Sequence, residues 1–127
     1  TVTDIDGKPA VVLMKAVNGD YRSGRTGPDG KFVYYTPGST PVAPDWDGGL
    51  RECGGGLHFC ARTWESALFL DGETDIKYIA CPIWVEDISV HADASMPHKV
   101  KARGCCAPVW EVDADGERLV EAGVVAP

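Results

Sequence analysis

The chain has 127 residues, 12 basic and 19 acidic side chains, a formal net charge of −7 and five cysteines. That length fits a single domain, 1–127, able to bury its own core, and 44% apolar with 24% charged residues is a folded rather than a disordered composition. No apolar run approaches the roughly 20 residues of a membrane-spanning helix, and the acid excess excludes a general nucleic-acid binder, which needs a basic surface to displace counterions.

In chain order, Ala10 to Val17 is a short apolar run and reads as a buried strand, ended by the turn chemistry of Asn18-Gly19-Asp20. Ser23 to Gly30 is glycine-rich and reads as a loop. Arg22 and Arg25 make a small basic spot there. Lys31 to Tyr35 is aromatic and β-branched and predicts a second strand. The stretch 36–56 is a long Pro/Gly-rich loop, of a kind often functional. Trp46, between Asp45 and Asp47, pins that loop to the core or touches a ligand.

Leu57 to Cys60 reads as a short strand. One principal helix is expected over about 62–70. Thr63 would be its N-cap, Trp64, Ala67 and Leu68 its apolar face, and Asp71-Gly72 its stop. Ile76 to Val85 predicts a long strand in which Pro82 marks a bulge or an edge position, and Ile88 to His91 continues or pairs with it. Lys99 to Arg103 alternates charged and apolar residues. Asp113 to Gly116 is a hairpin signal between Ala107–Val112 and Arg118–Val125. The pattern predicts an α+β domain with a mainly antiparallel sheet, one principal helix and long irregular loops.

Two sets of residues suggest chemistry. His58 and Cys60, two apart on a strand, share a face. With Cys53 and Cys105 they would make four nitrogen and sulfur ligands suited to zinc; packing, or a redox role for the thiols, accounts for the same residues. Lys99, Lys101 and Arg103 share one strand face and would hold phosphates or an acidic partner, or form a solvated outer face. No P-loop, dinucleotide fingerprint, nucleophile elbow or zinc-protease motif is present.

The stretch Glu52-Cys53-Gly54-Gly55-Gly56-Leu57-His58-Phe59-Cys60, with the following helix and the later Lys99-Val100, resembles a family of small uncharacterised domains of phages and bacteria, whose core reads C-x-x-G-[FL]-H-x-C. Leu13-Met14-Lys15-Ala16 is similar to that family's opening strand. The scarcity of Asn and Gln beside abundant Ala, Gly, Asp and Val fits a GC-rich genome such as an actinobacterium or its phage. Gly56-Leu57-His58-Phe59-Cys60 and Ser66-Ala67-Leu68-Phe69 also resemble, in order and spacing, the ADP-ribosyltransferase fold of the poly-ADP-ribose polymerase type. That resemblance implies Phe69 stacking on nicotinamide, Ser66 bonding its amide, His58 in the same cleft and Glu111 as the late catalytic carboxylate.

The first resemblance implies a phage or prophage setting more than an activity; the absence of a complete catalytic set, the long aromatic loop and the acidic surface point to an accessory module that binds a host or phage protein, with no cofactor and without clear catalytic machinery. Trp46, Lys99, Lys101 and Arg103 are its expected binding residues. The alternatives are an NAD-dependent ADP-ribosyltransferase and a small zinc-stabilised module. The expected compartment is the host cytoplasm, with virion association or secretion as alternatives.

Overall fold

The computed structural model describes residues 2–23, 30–44, 56–60, 75–89 and 99–119. Among them are β1 (Thr3–Ile5), β2 (Lys8–Asn18), β3 (Leu57–Cys60), β4 (Ile76–Trp84), β5 (Ile88–Ser89), β6 (Lys99–Ala102) and β7 (Trp110–Val112). They form one seven-stranded antiparallel sheet of order β5-β6-β3-β2-β4-β7, with β1 added to β2. No helix among these residues is long and apolar enough to cross a membrane.

The expected α+β class is corrected to all-β. Strand accounts for 52% of the described residues, and the helical piece seen among them is a single 3-10 turn at Val85–Asp87. The physical reason is that the β-branched runs of β2 and β4 satisfy their backbones against each other over nine consecutive pairs, Ala10↔Trp84 to Asn18↔Ile76. The helix expectation rested on one amphipathic stripe, and 62–70 lies outside the described residues, as does Trp46.

β2 begins with a hairpin. Asp6 and Gly7 both take positive φ, 52° and 83°, as a two-residue turn of the right twist requires, and Asp4 Oδ1 accepts the Gly7 N–H at 3.0 Å. Within β2, alternate residues serve opposite faces. Leu13 and Val17 join Leu57, Phe59, Ile79, Cys81, Ile83 and Ala102 in the main core. Burying each of the larger of these side chains contributes about 1.5–3 kcal/mol. The other face carries Ala10, Ala16, Cys60 and Ala80, and these too are buried.

Pro82 produces no bulge, and among the described residues it stands where the side of β4 away from β2 has no strand neighbour, an edge position as expected. The β2–β4 register runs through it without a break, at Val12↔Pro82, while β7 pairs with β4 at Tyr78, Ile79 and Ala80. The Pro82 carbonyl accepts the Cys106 N–H at 2.9 Å. In a strand the N–H and C=O of one residue point the same way, so the missing donor faces away from β2 and costs that ladder nothing.

The second strand expected at Lys31 to Tyr35 reduces to one bridge, Arg22↔Tyr34. Its alternation survives: Val33 and Tyr35 pack on the core while Tyr34 faces out. Tyr35 is buried edge-on to Phe59, ring centroids 6.2 Å apart. The described part of the long loop, 36–44, is irregular but fastened. Gly38 and Val109, Val109 and Ser39, Ala43 and Arg103, and Cys105 and Pro41 exchange backbone hydrogen bonds of 2.8–2.9 Å. Gly104 permits this, since a Cβ there would lie 2.9 Å from Val42 Cγ1 and 3.1 Å from the Pro41 carbonyl. The Asp113–Gly116 turn forms as expected: the Gly116 N–H donates to the Asp113 carbonyl, and Val112 bridges Arg118.

Candidate functional site

The register merges two of the sets that the sequence keeps apart. His58 pairs with Lys101 and Cys60 with Lys99 across β3 and β6, and Ser89 on β5 pairs with Lys101 on its other side. His58, Lys101 and Ser89 therefore form one polar row across three strands. The row is not a solvated stripe. Lys101 is 1% exposed and His58 Nδ1 is buried. Arg103, one residue past the end of β6, is exposed instead. Its N–H donates to the Asp87 carbonyl at 3.2 Å.

The zinc set is not assembled. His58 and Cys60 share the second sheet face, whereas Cys105 sits in the main core beside Cys81, on the opposite side. Cys53 lies outside the described residues. Among those residues, no three His, Cys, Asp or Glu side chains converge as a metal requires.

The transferase set is split in the same way. Cys60, Met14, Ala80 and Trp110 stand in one row across β3, β2, β4 and β7. His58 shares that face, and Glu111, next to Trp110, takes the other. Ser66 and Phe69 lie outside the described residues.

Glu111 does have partners, and local sequence gave no sign of them. Tyr21 donates its hydroxyl to Glu111 Oε1 at 2.6 Å, and Lys77 Nζ lies 3.5 Å from the same hydroxyl and 4.8 Å from the centre of the Tyr21 ring. Glu111 pairs with Ile79, so Lys77, two residues earlier on β4, is its diagonal neighbour. Tyr21 reaches this pair from the turn after β2, where it holds φ at 71°, a strained value for a bulky side chain. The Glu111 hydrogen bond, helped by partial burial, raises the Tyr21 phenol above its ordinary value. The Tyr21 contact in turn raises the Lys77 ammonium.

The next residue continues the pattern. The Arg22 guanidinium stands 4.8 Å from the Phe32 ring and its Nε 3.5 Å from Asp20 Oδ1. Its backbone bridges Tyr34, whose side chain is 52% exposed. Val42, on the same covering segment, is 62% exposed. Two consecutive residues, Tyr21 and Arg22, thus each form a cation–aromatic pair on the outer layer of the main core. Arg22 was visible in the sequence as half of a basic spot; Arg25, the other half, lies outside the described residues.

No protein-family profile matches the chain, and neither the curated proteins nor the solved structures give a match.

Proposed function

We propose that this chain is a small accessory module that binds a protein partner through the ridge built by residues 20–23 and 31–35, with Val42 at its side. The observation that supports this most is Arg22 stacked on Phe32 beside the exposed Tyr34. Arginine and tyrosine are the residue types that anchor interfaces: each offers a large, semi-rigid contact area with a polar end. The phage or prophage setting rests on the resemblance around Cys53 to Cys60 and on the Lys99-Val100 strand. The placement of His58 and Glu111 on opposite faces does not favour the transferase alternative.

The test is capture from a host extract with three immobilised forms: the unaltered chain, Tyr34→Ala, and Val12→Ser on the opposite sheet face. A partner retained by the first and third and lost by the second is expected. Equal retention by all three places the binding surface elsewhere and overturns the assignment of the ridge.

A further inference from the structure

Three segments distant in sequence meet at two thiols. Cys81 lies in the middle of β4 on its core side, and Cys105 follows β6 on the segment that covers that side. Both belong to the buried cluster around Tyr35. The Cys105 N–H donates to the Pro41 carbonyl at 2.8 Å and the Cys106 N–H to the Pro82 carbonyl at 2.9 Å, so the backbone carrying Cys105 is fastened to β4 one residue beyond Cys81. The Cys81 thiol donates to the Ile79 carbonyl at 3.7 Å, the Cys105 thiol is its electrostatic neighbour, and both are free thiols.

We propose that Cys81 and Cys105 form a built disulfide site, a dithiol that a small disulfide such as oxidised glutathione converts into an Sγ–Sγ bond joining β4 to the segment after β6. Cys105 is the first to react, because it is 7% exposed and Cys81 is 0% exposed. Its thiolate attacks one sulfur of oxidised glutathione, forming a mixed disulfide and expelling one glutathione thiolate. The Cys81 thiolate then attacks the Cys105 sulfur and expels the second. In total one S–S bond breaks and one forms. Two electrons pass to glutathione, and the two thiol protons end on its thiolates.

Burial, and then the neighbouring Cys105, hold the Cys81 thiol well above its ordinary range. The second step is therefore slow in the closed fold, since the thiolate is the attacking species. The other described cysteines are worse partners. Cys60 faces the opposite side of the sheet, and a bond between the adjacent Cys105 and Cys106 would be strained.

The experiment equilibrates the full folded chain in mixtures of reduced and oxidised glutathione, quenches with acid, alkylates the remaining thiols, and maps tryptic peptides without reduction. The expected product joins peptide 78–99 to peptide 104–118, in both the unaltered chain and Cys106→Ser, and is absent from Cys105→Ser. The linked chain also unfolds at a higher urea concentration than the reduced one, because the cross-link restricts the unfolded chain. Accumulation of glutathione on Cys106 with 78–99 unlinked overturns the proposal, and so does loss of the link in Cys106→Ser. Both readouts remain available if Cys105→Ser fails to fold.

Discussion

Lys101 and His58 stand directly opposite each other across the β3–β6 ladder, and the lysine of this pair is the buried one. A lysine withdrawn to 1% exposure contributes through its four-carbon stem as much as through its charge. Lys101→Ala is expected to destabilise the fold by about 2–4 kcal/mol, the range for emptying a buried site of that size. Arg103→Ala, two residues on and exposed, is expected to stay within about 0.5 kcal/mol. Urea midpoints at constant m-value measure both. Equal small losses would mean that the strand face is solvated after all.

The Tyr21–Glu111 hydrogen bond gives the protein an alkaline limb. The folded Tyr21 pKa lies above its unfolded value, so its stabilisation is complete below about pH 10 and is lost as pH rises through the folded value. Lys77, also raised, acts in the same direction and on the same side. Tyr21→Phe is expected to cost about 0.5–1 kcal/mol near neutrality, less than a buried hydrogen bond to a charged group because solvent screens it. Above about pH 10 the variant should lose less stability than the unaltered chain. Parallel melting-temperature profiles from neutral to alkaline pH for the two chains would refute the assignment.

Gly104→Ala tests how the 36–44 segment is held. The added methyl meets Val42 Cα at 3.0 Å and the Pro41 carbonyl at 3.1 Å, both backbone atoms that a side-chain substitution cannot clear. A cost of about 1–3 kcal/mol is expected, and Val42→Ala in the same chain should not restore it. Hydrogen exchange should quicken at the Ala43 and Cys105 amides, which donate to the Arg103 and Pro41 carbonyls. Unchanged exchange at both would show that the segment is anchored elsewhere.

Gly7→Ala isolates the first hairpin. Nothing lies within 4 Å of a Cβ at Gly7, so the substitution acts through its φ of 83° alone. About 1 kcal/mol is expected, and Gly7→Asn should recover part of it, since asparagine tolerates that region. Amide exchange at Ile5 and Ala10 reads the fraying of β1 from β2. A neutral Gly7→Ala would mean that the hairpin contributes nothing to stability.

The sequence made the strand material legible wherever apolar runs ended in turn residues. β2, β3, β4 and the Asp113–Gly116 turn stand close to where Ala10–Val17, Leu57–Cys60, Ile76–Val85 and Asp113–Gly116 put them. The Asp6-Gly7 turn is an equally local signal, but β1 before it is short and polar and carries no apolar alternation. What no local pattern carries is partnership. Pro82 reads as a bulge or an edge residue, and only the pairing of β7, which stops at Ala80, decides for the edge, where Cys106 supplies its carbonyl's donor. Lys31 to Tyr35 kept its alternation without a neighbour beyond the Arg22 bridge. Lys101 reads as exposed from alternation with Val100 and Ala102, yet it is 1% exposed. The Tyr21–Glu111 contact spans most of the chain, so neither residue's surroundings in sequence announce it.

The strand order also governs how the chain reaches this state. β2 emerges early, yet its long partner is β4, with Ala10 waiting for Trp84 and Asn18 for Ile76. β3 likewise needs β6, which lies beyond β4 and β5. Among the strand pairings of the described residues, the β1–β2 hairpin and the Val112–Arg118 bridge around the Asp113–Gly116 turn close locally. A topology this rich in distant contacts must close large loops before it gains ladder energy, which places folding in roughly the millisecond-to-second range. During that interval the apolar edges of β2 stand open to another chain. The net charge of −7 on the full chain then opposes association of released copies whose sheet is unfinished.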